Sequence, residues 1–345
     1  MEEKIKMVTI KDVARDAGVS VGTVSNVLNG GRVSEERRQL VEQSIKKLGY
    51  QVNTLAKGMR MQKTDYVVVI LPNLINPYFA LLLDELESAL SAIGKQVLLC
   101  LSNDDAKREV TFMDMARQNK VDGIIGVTYS NAQDCMIDHM AFVTIDRHYK
   151  AHIPCVAGDN WQGGWLAAEN LHKRGATNLL CFMTMSSMDS EVRKRRAGFT
   201  EYCMQHNLSC DSVELSEKQI CSVYESYGSR KLINSMLKAY VDHSIDGIFT
   251  SSDHLAAIVQ EELEAMGKRI PEDVQIVGYD GLLFLNQGKP IVSSIRQPVK
   301  EIARQTVQCL SELLSTGKAE SVVNIPVEFQ EGPTTKPLIK ENHVI

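Results

Sequence analysis

The sequence lacks several features that would place it in a special class of protein. No apolar run approaches the roughly 20 residues of a membrane-spanning helix, and the first residues include no apolar segment of a signal peptide. The eight cysteines never form a C-x-x-C or another metal-ligand spacing. With 44% hydrophobic and 23% charged residues, the 345-residue chain is ordinary for a globular protein. We therefore expect a cytoplasmic protein with reduced cysteines, no metal and no membrane partner.

Signatures of the common enzyme classes are also missing. The sequence contains no G-x-x-x-x-G-K-[ST], no G-x-G-x-x-G after a strand, no G-x-S-x-G and no H-E-x-x-H. His148 and His152 are four residues apart, a spacing that metals use, but no third ligand neighbours them. Asp146 and Asp159 could be compared with a glycosidase carboxylate pair, although nothing else in the sequence supports hydrolysis. We expect no catalytic residue, no enzyme activity and no cofactor.

The net charge of -5 conceals an asymmetry along the chain. Residues 1–63 hold 12 Lys and Arg against 7 Asp and Glu, whereas the remaining residues hold 26 against 36. A small basic region on an acidic body is expected where only that region meets a polyanion.

Helix signals fill the first fifty residues. Thr9 and Asp12 form a capping box for a helix over about 10–16, and Gly18 supplies a turn. Ser20 caps a second helix that ends at Asn29-Gly30-Gly31. A third helix extends from Ser34 to Gly49. It is predicted to bury Leu40, Val41, Ile45 and Leu48.

Two short helices joined by A-G-V-S are typical of a helix-turn-helix, in which the second helix enters the major groove of DNA. A generic three-helix bundle is the alternative. The outer face of the second helix favours DNA, because it carries short hydrogen-bonding side chains and almost no acid. These side chains are Ser20, Thr23, Ser25 and Asn26.

The same segments resemble the LacI/GalR family of bacterial transcription regulators. The similarity lies in T-I-K-D-V-A, A-G-V-S-V-G-T-V-S-N-V-L-N-G and L-G-Y-Q-V-N-T-L-A, and it continues over nearly the whole chain. The resemblance implies that Val21, Gly22 and Asn26 face the bases. It implies contacts with the DNA backbone at Thr9, Ser20, Thr23, Ser25 and Asn29.

One base-facing position departs from the family pattern. Arginine commonly stands where this sequence has Asn26. Asparagine can bond an adenine through two hydrogen bonds, and Val21 can contact a thymine methyl group. We therefore expect a shifted preference of operator sequence.

Residues 53–61, N-T-L-A-K-G-M-R-M, resemble the hinge helix of that family. Nine residues that include Gly58 are too few to form a stable isolated helix, so it would need a partner. The resemblance implies that two hinges pair in the minor groove of the operator, with Met59 as the inserted apolar side chain and Ala56 and Lys57 as further DNA contacts. Val52 and Gly58 depart from the family pattern and suggest a looser hinge. A disordered tether is the alternative.

From Asp65 onward, short apolar runs alternate with amphipathic stretches, which is typical of parallel α/β structure. The runs cover 66–71, 96–101, 121–127, 142–145, 153–157, 178–183, 246–250, 274–279 and 291–296. V-D-G-I-I-G and I-D-G-I-F-T recur about 120 residues apart, which favours two similar lobes.

The expected fold is therefore an α/β, two-lobed body like that of periplasmic binding proteins, with parallel sheets, preceded by a small all-α helix-turn-helix domain. The expected domains are 1–51 for DNA binding, 52–63 for the hinge and 64–345 for effector binding and dimerisation. The first lobe is expected at about 64–160 plus 292–322, and the second at about 161–291 plus 323–345.

Polar residues follow the predicted strands, where ligands bind in open parallel sheets. Each has an alternative role as a helix cap or turn residue. Taken together, short acids, amides and arginine suit a sugar, because carboxylates and guanidinium groups can hold paired hydroxyls. By resemblance, Arg195 is the guanidinium that reaches the ligand. The predicted ligand-binding set is Asn76, Tyr78, Phe79, Asp146, Arg147, Asn160, Arg195, Asp253, Asp280 and Gln297.

The resemblance implies a homodimeric repressor of a pseudo-palindromic operator, whose DNA affinity depends on a small effector, expected to be a carbohydrate. The sequence leaves other functions open. They are a co-repressor-dependent regulator that responds to a nucleobase or a phosphorylated protein, and a cytoplasmic sugar-binding protein independent of DNA.

Overall fold

The computed structural model describes residues 8–50, 64–103, 105–128, 140–148, 153–184, 190–215, 227–241, 244–283 and 288–338. The chain divides into two compact units, Met1–Thr64 and Asp65–Ile345.

The first unit contains three helices, α1 (Ile10–Asp16), α2 (Val21–Leu28) and α3 (Glu35–Leu48). Its small core is centred on Val13, Val24 and Val41, all fully buried. The left-handed Gly49 ends α3, with a φ of 62° that glycine adopts at little cost. Leu40 was expected in this core but is 44% exposed, because the helix turns its neighbour Val41 inward instead.

Two six-stranded sheets form the framework of the second unit. The first has the order β11-β5-β4-β3-β1-β2 with all strands parallel, and the second has the order β12-β10-β9-β8-β6-β7 with only β12 antiparallel. The strands are β1 (Tyr66–Leu71), β2 (Gln96–Leu101), β3 (Gly123–Gly126), β4 (Ala141–Ile145), β5 (Cys155–Gly158), β6 (Asn178–Thr184), β7 (Ser209–Leu215), β8 (Gly247–Thr250), β9 (Gln275–Asp280), β10 (Ser293–Arg296), β11 (Val322–Ile325) and β12 (Glu328–Gln330).

Helices connect these strands and cover the sheets, as parallel sheets require. They are α4 (Pro77–Ala92), α5 (Ala106–Gln118), α6 (Asn160–Lys173), α7 (Arg193–Gln205), α8 (Tyr227–Val241), α9 (Asp253–Ala265) and α10 (Val299–Thr316). The predicted apolar runs coincide with buried strands such as β1 and β9, and the two-lobed α/β fold is confirmed.

The crossings between the sheets differ from the expected boundaries. We expected residues 292–322 in the first lobe, but Ser293–Arg296 pairs with β9 in the second sheet. Conversely, Val322–Ile325 extends past the expected boundary and pairs with β5 in the first sheet. The chain therefore crosses between β5 and α6, between β10 and α10, and between β11 and β12. Apolar runs show that a strand exists, but they do not show which sheet receives it.

Candidate functional site

The solvent-facing side of α2 carries the residues expected to read bases. Val21 is 39% exposed, and Gly22 and Asn26 are exposed as well. Val24 and Val27 point into the core on the opposite side. The first turn of α2 contains no acidic residue that would repel a phosphate. The helix therefore presents a neutral, accessible surface to a possible nucleic acid partner.

The short polar side chains of the first unit also stabilise its helix ends. The Ser20 hydroxyl accepts a hydrogen bond from the Thr23 backbone N–H at 3.1 Å and lies 2.9 Å from the Thr23 hydroxyl. Asp12 accepts from the Thr9 backbone N–H at 3.0 Å and from the Thr9 hydroxyl at 2.7 Å. These bonds lower the pKa of the Asp12 carboxyl. The hydroxyls keep further capacity, since each can donate once and accept twice.

Two arginines near Asn26 were not singled out by the sequence reasoning. Thr23, Asn26, Arg32 and Arg37 all line a hollow of about 460 Å³ beside α2. Both arginines are exposed and can neutralise phosphates next to the recognition helix. Their signal in the sequence was the G-G-R turn and the net positive charge of the segment. The predicted hinge residues Ala56, Lys57 and Met59 lie outside the described residues.

In the second unit, a chain of buried hydrogen bonds connects the two sheets at the carboxyl ends of their strands. Asp146 follows β4, and its Oδ1 accepts a hydrogen bond from Asn160 Nδ2 at 3.3 Å. Asn160 Oδ1 accepts from Arg195 Nε at 2.6 Å, and Arg195 Nη1 donates to the Ser251 carbonyl at 2.7 Å. The three predicted ligand residues Asp146, Asn160 and Arg195 therefore lie together.

The Arg195 guanidinium stacks on the ring of Tyr279, 3.5 Å from its centroid. Such a cation–π contact favours a charged guanidinium in a buried site. Tyr279 was not predicted as a site residue, since a tyrosine inside an apolar strand is indistinguishable from a core residue by pattern.

Two glycines allow α6 and α7 to approach closely enough for this arrangement. A Cβ atom at Gly164 would lie 1.8 Å from the Arg195 carbonyl oxygen, and one at Gly198 would lie 2.0 Å from the Trp161 carbonyl oxygen. A side chain at either position would separate the helices. The small residues therefore determine how far Arg195 reaches toward Asn160.

A second chain of contacts joins Tyr78, Gln297 and Asp280. Gln297 Nε2 donates to Asp280 Oδ1 at 2.9 Å, and the Tyr78 hydroxyl donates to Gln297 Oε1 at 3.5 Å. Tyr78 belongs to α4 in the first lobe, whereas Asp280 ends β9 in the second lobe. The other carboxylate oxygen of Asp280, Oδ2, is buried without a hydrogen-bond partner among the described residues.

The two cleft aspartates have unusual backbone conformations. Asp146 has a φ of 59° and Asp280 a φ of 118°, both in the region that L residues rarely adopt. Each ends a strand at the cleft, one in each lobe. Strained residues of this kind concentrate at functional sites, where the surrounding structure stabilises them.

Burial controls the ionisation of these carboxyl groups. Desolvation raises the pKa of Asp146, and the nearby Arg195 opposes the shift. Desolvation also raises the pKa of Asp280, and the charge of Asp253 raises it further. Burial therefore favours the protonated form of both carboxyl groups.

Asp253 is buried and bonded within the second lobe. Its Oδ1 accepts from the Ser294 hydroxyl at 2.5 Å and its Oδ2 from the Leu282 backbone N–H at 2.7 Å. Desolvation raises the pKa of Asp253 to about 7. Both of its carboxylate oxygens therefore accept hydrogen bonds from its own lobe, and one of them holds the segment that follows Asp280.

Three other predicted ligand residues also have partners within the protein. Arg147 Nη1 donates to the Thr128 carbonyl at 3.1 Å and lies 3.3 Å from the Thr128 hydroxyl. Asn76 caps α4 by accepting from the Tyr78 backbone N–H at 3.1 Å. Phe79 is only 8% exposed and packs in the core of the first lobe. The capping role of Asn76 is the one its sequence context also allowed.

A contact between the lobes beside the cleft was not anticipated. His148 Nε2 lies 2.5 Å from Glu191 Oε1, and the Glu191 backbone N–H donates to the Asp146 carbonyl at 2.9 Å. Glu191 is 2% exposed, and Lys194 also pairs with it at 2.7 Å. No local pattern in the sequence distinguishes Glu191 from a surface residue.

Two negative findings apply to the described part of the chain. None of its helices is long and apolar enough to cross a membrane. It contains no group of three or more His, Cys, Asp and Glu side chains placed to hold a metal ion.

Two family models match this chain, one in each of its two compact units. The family model of bacterial regulatory proteins, lacI family, matches residues 9–53, and that of the periplasmic binding protein-like domain matches residues 168–335. The sucrose operon repressor of Pediococcus pentosaceus is 31% identical over 94% of this chain and 98% of its own length.

Solved structures agree on the fold. A periplasmic binding protein/LacI transcriptional regulator from Alkaliphilus metalliredigens, complexed with D-xylulofuranose, is 25% identical with a TM-score of 0.68 and covers 79% of this chain and 100% of its own. The lac repressor dimer bound to operator and the anti-inducer ONPF has a TM-score of 0.79 at 21% identity, over 95% of this chain and 99% of its own. The predicted resemblance is confirmed: the chain belongs to the lacI family of bacterial regulatory proteins.

Proposed function

We propose that the protein is a transcriptional repressor whose affinity for an operator changes when a carbohydrate binds between its lobes. The observation that supports this most directly is the cleft network, in which Asp146, Asn160 and Arg195 meet beside Asp280 and Gln297. The relative named as a sucrose operon repressor and the neighbour complexed with D-xylulofuranose support a sugar as the effector class.

The chemistry of the cleft suits vicinal hydroxyl groups. Asp280 Oδ2 is buried without a partner among the described residues and can bond a sugar hydroxyl, which both donates and accepts, and the Arg195 guanidinium can donate to paired oxygens. The buried side chains of Tyr78 and Tyr279 lie beside these polar groups, with Tyr78 bonded to Gln297 and Tyr279 stacked against Arg195. The residues proposed to contact the sugar directly are Tyr78, Asn160, Arg195, Asp280 and Gln297, with Asp146 orienting Asn160.

A physical basis for control lies in the direct contacts between lobes. The bonds Asp146–Asn160 and Tyr78–Gln297 join residues on the two sides of the cleft. A sugar bound against these residues contacts both lobes, so it binds the alternative lobe arrangements with different affinities. Such differential affinity is what shifts a conformational equilibrium. By linkage, the sugar and the operator then alter each other's binding, typically by about 5- to 150-fold.

The DNA-binding role rests on α2 and its surroundings. Val21, Gly22 and Asn26 are proposed to read bases, and Thr9, Ser20, Thr23, Ser25 and Asn29 to contact the DNA backbone. We propose a homodimer on a pseudo-palindromic operator, as two copies of α2 would read two half-sites. Such a protein acts in the cytoplasm by binding and not by catalysis. Release of DNA by the sugar is the proposed direction of control.

The proposal is tested in two steps on the full-length protein. First, selection from a random duplex library identifies the preferred DNA sequence, and a thermal-shift screen of sugars, amino sugars and nucleobases identifies the ligand. Second, the selected labelled duplex is titrated with protein, with and without that ligand.

A sequence-selective, salt-sensitive complex that weakens when a sugar is added supports the proposal. A stronger complex in the presence of a nucleobase would support co-repression instead. The absence of selective DNA binding under every ligand condition would contradict the DNA-binding function and favour a simple sugar-binding protein.

A further inference from the structure

At one edge of the cleft, a single residue of the second lobe bonds the first lobe through both its backbone and its side chain. This residue is Glu191, two positions before α7. Its backbone N–H donates to the Asp146 carbonyl at 2.9 Å, and its Oε1 lies 2.5 Å from His148 Nε2. Asp146 and His148 both belong to the segment that follows β4 in the first lobe.

The first lobe holds its side of this contact in place. The Thr144 hydroxyl donates to the Arg147 carbonyl at 2.6 Å, and Arg147 Nη1 donates to the Thr128 carbonyl at 3.1 Å. Arg147 is only 1% exposed. His148 is the next residue along the chain, so its imidazole extends from a backbone that is bonded to the first lobe.

The second lobe holds Glu191 at the start of α7. The Lys194 backbone N–H donates to the Glu191 carbonyl at 2.9 Å, and the Lys194 ammonium pairs with Glu191 Oε2 at 2.7 Å. Arg195 follows in the same turn, where its Nε donates to Asn160 Oδ1 at 2.6 Å. The contact with His148 therefore connects the first lobe to the turn that carries the proposed ligand-binding guanidinium.

Burial strengthens the bond between His148 and Glu191. The Glu191 side chain is 2% exposed, whereas that of His148 is 41% exposed. A carboxylate only accepts hydrogen bonds, so the imidazole Nε2–H is the donor. Hydrogen bonds to a charged group contribute more than neutral ones, and a buried acceptor that loses its donor is destabilised further. Loss of the imidazole should therefore favour arrangements in which water reaches Glu191.

The cleft residues are shielded from solvent in the same arrangement. Asp146 is 2% exposed, Asn160 1% and Arg195 5%. A molecule the size of a sugar reaches these side chains only when the surrounding structure opens. Opening of the lobes at this edge separates Glu191 from both of its partners in the first lobe.

We propose that His148 and Glu191 form an inter-lobe latch, which holds the lobes together at the edge of the cleft and opens to admit a ligand. The admission of a ligand rests on the proposed function of the cleft. The latch itself is a property of the two lobes, so it is tested on the full-length protein with no ligand added.

Hydrogen exchange at one amide tests the latch directly. The Glu191 N–H is bonded to the other lobe, so it exchanges with solvent when the lobes separate. Two nearby amides are bonded within their own lobes and provide internal controls: the Asp146 N–H, which donates to the Val156 carbonyl at 3.1 Å, and the Lys194 N–H. Deuterium uptake at each amide is followed at constant pH by mass spectrometry with fragmentation to single residues.

Two substitutions at the exposed His148 separate the hydrogen bond from the bulk of the ring. In His148→Gln, the amide nitrogen takes the place of Nε2 and can donate to Glu191. In His148→Asn, the amide nitrogen is one methylene closer to the backbone and loses the contact. We expect the Glu191 N–H to exchange at least about fivefold faster than in the wild type in His148→Asn, and within about twofold of it in His148→Gln.

The two control amides should exchange as in the wild type in both variants. An unchanged Glu191 N–H in His148→Asn would overturn the latch, as would equally fast exchange in His148→Gln. Faster exchange at all three amides would also overturn it, because the imidazole would then stabilise the lobes themselves and not the contact between them. These outcomes are decisive whether or not the cleft binds a sugar.

Discussion

The solvent face of α2 and the cleft of the second unit both concentrate polar side chains, but they use them differently. On α2, Asn26 is exposed and contributes little to the folded state. In the cleft, Arg195 and Asn160 are buried and bonded to each other. Function on α2 should therefore be separable from stability. In the cleft, function and stability are coupled, because the side chains proposed to bind the ligand also form hydrogen bonds with one another.

The largest effect should follow from removing the central cation of the cleft. Arg195→Ala leaves the buried Asn160 Oδ1 without its donor and the buried Asp146 carboxyl without the nearby positive charge, which typically costs about 3 to 5 kcal/mol. Urea unfolding at constant pH measures the loss. Arg196→Ala is the matched control on the same helix, because its guanidinium pairs with Glu214 at the surface. It should cost about 1 kcal/mol or less. An equal loss of unfolding free energy in the two variants would show that the buried Arg195 contributes no more to stability than a surface arginine.

The pH dependence of stability should reveal the buried carboxyl group of Asp253. The folded protein keeps the Asp253 proton up to a pKa of about 7, against an ordinary value of 3.8. Between these values the folded state binds more protons than the unfolded state. The free energy of unfolding therefore falls as the pH rises through this range, by up to about 4 kcal/mol from this group.

The variant Asp253→Asn isolates that contribution. An asparagine can keep both bonds, accepting from the Leu282 N–H and donating to the Ser294 hydroxyl. Its unfolding free energy, measured by urea titration from pH 4 to pH 8, should vary less with pH than that of the wild type. Parallel curves for the two proteins would show that Asp253 ionises normally.

On α2, substitution should affect DNA binding alone. Asn26→Ala is expected to weaken binding to the selected duplex by about 1 to 3 kcal/mol, the usual value of a good base contact. Its unfolding free energy should stay within about 0.5 kcal/mol of the wild type, as at other surface sites. Fluorescence anisotropy measures the first quantity and urea unfolding the second. Gln43→Ala, at an exposed position of α3, is the control. An unchanged affinity for Asn26→Ala would place the base-reading surface elsewhere.

The smallest expected effect concerns a helix cap within the first unit. Ser20 accepts the Thr23 N–H, whereas Ser34 makes no side-chain cap bond to α3. Ser20→Ala should therefore destabilise the unit by about 1 kcal/mol, and Ser34→Ala by much less. Thermal unfolding of the two variants checks this difference. A similar cost at both positions would mean that the cap bond of Ser20 adds no stability.

The sequence was sufficient for much of the architecture, because the fold depends on strong local signals. The capping box at Thr9 and the apolar runs of β1 and β9 are such signals. Strands β7, β11 and β12 were not predicted. They lie at the edges of the sheets, and exposed residues within them interrupt any continuous apolar run. The assignment of β10 to a lobe needed the tertiary structure, because pairing between distant segments leaves no local pattern.

The candidate site was predictable only in part, for the same reason. Polar residues after buried strands identified Asp146 and Asp280, and the structure places both at the cleft with positive φ. The cation–π contact of Tyr279 and the lobe contact of Glu191 arise from folding and have no signature in the sequence. The sequence likewise could not show that both carboxylate oxygens of Asp253 accept hydrogen bonds from its own lobe.

The central claim is that occupancy of the cleft changes the affinity for DNA, and one titration tests it most directly. The full-length protein is titrated into its selected duplex with and without a saturating amount of the sugar that gives the largest thermal shift. We predict a change in the dissociation constant of at least about fivefold. In Asp280→Asn, the sugar effect should be reduced and the affinity for DNA retained. An identical dissociation constant with and without bound sugar in the wild-type protein would contradict the account.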